Sequence, residues 1–177
     1  VVAKATPVSP THSLYAHNAA PLRPAAFLRL PPGAVRPAGW LSGQLQLQLA
    51  GLNGRYQDIS HYLDYSTTGW IHPANDGWEE VPYWLRGYGD LGYVTGDAAT
   101  ISNTERWLTG VLNTQASDGY FGPTRLRTSL GGGPDFGPHL PMIQAMRSFY
   151  EYSGDSRIIP ALGALFRFMA AQSGAVF

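Results

Sequence analysis

The sequence predicts an all-α protein: an array of helical hairpins behind a Pro-rich extended arm. Three observations carry this. A helix, a Gly-Asp turn and a second helix occur twice, around Gly96-Asp97 and around Gly154-Asp155, so the turns lie 58 residues apart. A repeat of that length is the mark of stacked helical units. The predicted helices also carry apolar stripes at helical spacing, such as Ile158, Leu162, Leu165, Phe166 and Met169.

In chain order, residues 1–36 form the arm, and residues 37–177 form the hairpin domain. Seven of the fourteen prolines fall within residues 1–39, which argues for extended chain and against helix. A first helix begins near Pro37-Ala38 and ends at Gly51 or Gly54, with Pro at its start and Gly at its end. The alternation Leu45-Gln46-Leu47-Gln48-Leu49 also suits a strand, but the end signals favour helix.

Residues 55–78 read as a long loop, the kind that is often functional. Helices over 82–95 and 98–115 follow. A second long loop covers 116–137, Gly-rich at Gly131-Gly132-Gly133. Helices over 138–153 and 156–171 complete the second copy. In each turn the Gly ends one helix and the Asp caps the next.

Composition excludes several classes. Twelve basic and twelve acidic residues cancel, leaving no basic stripe for nucleic acid. No apolar run approaches the ~18 residues of a membrane span. With no cysteine, the chain has no disulfide, thiolate ligand or thiol nucleophile of its own. The five histidines show no paired metal spacing, so no metal site is assigned. The chain starts at Val1 without Met, which suggests a processed or truncated start and a secreted or periplasmic location.

The loops before the repeated helices hold the candidate chemistry. Glu79 lies three residues before Pro82, and Asp135 three before Pro138. Equivalent ends of repeated hairpins point to one rim. Carboxylates on one rim beside aromatic rings are what glycoside hydrolysis uses. The competing reading is structural: an acid at a helix start stabilises its dipole, and Asp76 with Glu79 has capping-box spacing. Trp78, Tyr83 and Trp84 add rings beside Glu79. The Asp118-Gly119-Tyr120 turn, and His139 beside Pro138, complete the candidates.

Several segments resemble the six-hairpin glycosidases related to the β-L-arabinofuranosidases of glycoside hydrolase family 127. They are Arg36-Pro37-Ala38-Gly39-Trp40-Leu41, Gly77-Trp78-Glu79 with Pro82-Tyr83-Trp84-Leu85, Asp118-Gly119-Tyr120-Phe121-Gly122-Pro123, and Asp135 with Pro138 running into Tyr150-Glu151-Tyr152. The resemblance covers residues 33–172. It implies an (α/α)6 toroid whose loops at one rim form the sugar site. Residues 37–177 would be its N-terminal part, its open edge covered by the rest of the polypeptide or a partner chain.

By this resemblance, the expected function is a glycoside hydrolase acting on furanose-containing or related glycans. Glu79 and Asp135 are its catalytic candidates. Asp76, Trp78, Tyr83, Trp84, Asp118, Tyr120 and His139 are its substrate-binding candidates. The family's well-known branch uses a zinc-bound Cys. No cofactor is expected in this chain, and zinc only where a further part supplies the Cys ligands. Two alternatives stand beside this: a non-catalytic helical module binding glycan or protein, and an (α/α) toroid polysaccharide lyase with Tyr83 or His139 as base.

Overall fold

The computed structural model describes residues 18, 20–23, 27 and 29–172. Among them the regular structure is helical, and the one extended pairing is an isolated bridge between Leu130 and Gly133. Of the Pro-rich arm, residues 29–36 are described in full; they are not helical, and the arm before residue 18 lies outside the described residues. This segment lies against the C-terminal end of the third helix. A Cβ on Gly33 (φ +82°) would meet the Tyr93 carbonyl oxygen at 2.6 Å.

The helices are α1 (Gly39–Ala50), α2 (Leu52–Ile59), α3 (Glu80–Thr95), α4 (Ala98–Asn113), α5 (His139–Ser153) and α6 (Ile158–Ala170). Short 3-10 turns occupy His61–Leu63 and Thr124–Arg127. α3 packs on α1, α2, α4 and α5, and α6 packs on α5.

The alternating Leu-Gln segment is helix, as its end signals predict. The alternation has a consequence: it scatters apolar residues around α1, so none is buried, and Trp40 is 80 % exposed. The chain does not stop being helical at Gly51, as the sequence reading expects. It bends there and continues as α2. Gln57 fixes α2 to α4 by accepting hydrogen bonds from Asn103 Nδ2 (2.9 Å) and Trp107 Nε1 (3.2 Å). A Cβ on Gly54 would lie 1.8 Å from the Leu49 carbonyl oxygen, so the two helices meet closely there.

The two Gly-Asp turns are alike at Gly and differ at Asp. Gly96 (φ +73°) and Gly154 (φ +71°) both end their helices in the left-handed conformation. Asp97 caps α4 by accepting the Thr100 N–H at 2.8 Å. Asp155 instead accepts the Arg157 N–H at 2.9 Å, and α6 starts later with Arg157 at its cap position. Asp76 and Glu79 form no capping box. Glu79 itself occupies the cap position of α3, and no side chain caps that end.

The two hairpins meet along the α3–α5 seam. Tyr93 and Tyr152 stack at 4.4 Å. Burial raises the Asp90 carboxyl above its usual range, opposed by a hydrogen bond with Ser148 and the charge of Arg29. Beneath the seam, Trp107 is fully buried and meets Tyr65 and Trp84 edge-on, at 5.0 Å and 5.4 Å between ring centroids. Such pairs contribute about 0.5–1.5 kcal/mol each beyond area burial.

Candidate functional site

The two long loops knit together at the N-terminal ends of α3 and α5. The first folds on itself through Gly69 N–H to the Asp76 carbonyl (2.7 Å) and the Asn75 amide to the Thr67 carbonyl (2.7 Å). The buried Trp70 donates its indole N–H to the Trp78 carbonyl at 2.7 Å, which sets the backbone beside Glu79. The second loop is tied to the first by Thr124 N–H to the Pro73 carbonyl, also 2.7 Å. Gly122 (φ +91°) passes against Trp70, where a Cβ would meet ring carbon at 2.7 Å.

Asp135 is held from three sides. Its own N–H donates to the Leu126 carbonyl at 2.7 Å. Its Oδ1 accepts the Gly137 N–H at 2.9 Å, and its Oδ2 accepts the Trp78 indole N–H at 3.4 Å. The Trp78–Asp135 bond brings the two acid-bearing loops together at the N-terminal ends of α3 and α5.

A cavity of about 440 Å³ opens here. Its walls include Asp76, Trp78, Glu80, Arg125 and Tyr62. Arg125 approaches Asp76 at 3.4 Å. Trp78 is 45 % exposed, so much of its ring remains available to a ligand. The cavity's carboxylates are Asp76 and Glu80. Glu79 is half-buried, outside the lining, and among the described residues no hydrogen bond holds its carboxylate. Tyr83 and Trp84 line a neighbouring cleft, which Glu80 also borders.

The remaining candidates hold the second loop. Tyr120 is buried and donates its hydroxyl to the Pro123 carbonyl at 2.7 Å, and burial pushes that phenol up. Asp118 pairs with Arg127 at 2.7 Å, and this partner holds its carboxyl below the usual range. The Arg127 guanidinium lies 4.1 Å from the Tyr120 ring centroid. His139 is 0 % exposed and sits among Trp70, Tyr120, Phe121 and Phe136. Its Nε2 lies 2.9 Å from the Phe121 carbonyl, so the neutral ring donates there. Burial holds the imidazole below its usual range, opposed by the Phe121 and Asp135 backbones.

Glu80, Arg125 and Tyr62 escaped the sequence reading. Glu80 was legible in principle, as the neighbour of Glu79; Arg125 and Tyr62 carry no local signal. The chain has no cysteine, and the described residues contain no group of three or more His, Asp or Glu able to hold a metal. No helix among the described residues is long and apolar enough to cross a membrane. Across protein-family models, curated proteins and solved structures, nothing matches this chain.

Proposed function

We propose that the chain belongs to an (α/α)6 toroid glycosidase acting on furanose-containing or related glycans. The observation that carries this reading is the hydrogen bond from Trp78, which lines a cavity with Asp76 and Glu80, to Asp135. Sugar sites combine ring faces for the C–H surface of the sugar with carboxylates for its hydroxyls and its leaving oxygen. Asp135, oriented by two donors, serves as the partner carboxylate. Glu79 or its neighbour Glu80 serves as general acid/base, and Asp76 and Arg125 position the substrate.

The experiment is hydrolysis of arabinofuranosyl substrates by the protein and by Glu79→Gln, Glu80→Gln and Asp135→Asn. A general acid/base contributes about 10²–10⁴-fold in rate. The expected result is a loss of that size for Asp135→Asn and for one of the two Glu variants, with the fold unchanged. Equal activity in all three variants sinks the catalytic reading. Sugar binding without hydrolysis would favour the non-catalytic module.

A further inference from the structure

The cleft beside the rim cavity, about 340 Å³ between α2 and α3, contains an unexplained glycine. Gly87 lies in the middle of α3 and is exposed. A mid-helix glycine costs helix stability, so it usually marks a close approach. Two other glycines of α3 have such a reason inside the protein. A Cβ on Gly89 would meet Thr104 Cγ2 at 3.0 Å, and one on Gly92 would meet Thr100 Cγ2 at 2.8 Å. Around Gly87 nothing lies within 4 Å of the added Cβ. The open space is the floor of the cleft.

The walls above this floor are amphipathic. Tyr56 and Tyr83 present rings that are 37 % and 51 % exposed. Among the described residues no hydrogen bond occupies the Glu80 carboxylate. Asn53 donates its amide nitrogen to Gln48 at 3.1 Å, which leaves its amide oxygen for a ligand hydroxyl. The volume stands at the low end of the roughly 300–1,000 Å³ of small-molecule sites.

The geometry points to a second sugar subsite, resting on the carbohydrate reading of the rim cavity. A furanose or pyranose ring lies with its C–H face on Tyr56 and Tyr83 and its edge over the Gly87 backbone, its hydroxyls donating to Glu80 and Asn53. Glu80 borders both cavities, so the two subsites belong to one bound chain, and the ligand is an oligosaccharide of at least two units. An aromatic cleft with a carboxylate also suits a quaternary ammonium. The Arg86 guanidinium, 5.4 Å from the Tyr83 ring centroid, already places a positive charge there and disfavours that ligand.

The test is ¹⁵N NMR of the tryptophan indole N–H groups, with L-arabinose, arabinotriose and choline as probes. Arabinotriose is expected to shift both Trp78 and Trp84, and L-arabinose Trp78 alone. Gly87→Ala should raise Tm yet weaken arabinotriose binding about tenfold, the lower end of what one misplaced methyl group costs in a fitted site. Its L-arabinose affinity should stay unchanged. If arabinotriose moves Trp78 and leaves Trp84 still, or binds Gly87→Ala as well as the parent, the second subsite is overturned and the rim reading stands. If no sugar moves Trp78, the rim reading falls and the subsite with it. A choline-induced shift of Trp84 overturns the sugar assignment in favour of a cation cage.

Discussion

Arg86 and Gln144 occupy the same place in successive hairpins, 58 residues apart, and Arg86 Nη1 donates to Gln144 Oε1 at 2.5 Å. One turn further along, Asp90 faces Ser148 at the same interval. Near the helix ends Tyr93 stacks on Tyr152. Contacts between like positions mean that α3 and α5 run side by side in the same direction, in register. This aligns the N-terminal ends of both helices on one side, as neighbouring units of a repeat would be.

The seam contact is testable by a double-mutant cycle on Arg86→Ala and Gln144→Ala. Both positions are at least partly solvated, so a coupling of about 0.5–1.5 kcal/mol is expected from denaturant unfolding. Additive effects would show that the bond contributes nothing to the register.

Gly122 sets the second loop against the first. Gly122→Ala would force a side chain at φ +91° and place a Cβ 2.7 Å from the fully buried Trp70. The left-handed backbone and the overpacking together cost about 2–5 kcal/mol. A fall in unfolding free energy of that size, with loss of Trp70 near-UV dichroism, is the expected outcome. A fall below about 0.5 kcal/mol, within the range of ordinary surface substitutions, contradicts the tight contact.

His139 makes stability depend on pH. Burial holds its folded-state imidazole below the ordinary 6.5. As pH falls through 6.5 the unfolded chain takes up this proton first. The stabilisation is therefore full above pH 6.5 and is lost as pH drops toward the lowered folded value. The Asp135 backbone and charge oppose the shift and narrow this window. Urea midpoints measured between pH 8 and pH 5 should fall through it. His139→Phe should remove that part of the slope, and an unchanged slope would assign it elsewhere.

Trp78 separates stability from function. Its indole donor is partly exposed, so Trp78→Phe should change stability by no more than about 1 kcal/mol. It also releases the Oδ2 of Asp135. Under the proposed function, hydrolysis should fall by about tenfold or more, since a misplaced catalytic carboxylate costs rate steeply. Unchanged kcat/KM would remove this bond from the argument.

The hairpin repeat was legible because its signals are local. Apolar residues at helical spacing, a left-handed Gly and an Asp behind it need only a few neighbouring residues to act, and α3 to α6 fall where that pattern puts them, within a few residues. α2 was not legible, because Gly51 and Gly54 read as stops. Gly54 is instead what lets α2 lie against Leu49, and Gln57 finds its donors 46 and 50 residues away. The strand-like Leu-Gln alternation resolved to helix for the reason its end signals suggest.

For the candidate site, two acid-bearing loops before equivalent helices were legible from the residues. Tertiary structure alone decided which side chains reach the cavity. Asp76 and Trp78 do, and Asp135 accepts a hydrogen bond from Trp78. Glu80 and Arg125 join them, while Tyr120 and His139 turn inward to hold the loops. The physical reason is that loop residues have no fixed period. Their direction is set by long-range hydrogen bonds such as Thr124 to Pro73 and by the packing of Gly122 on Trp70, and neither is written in any local pattern.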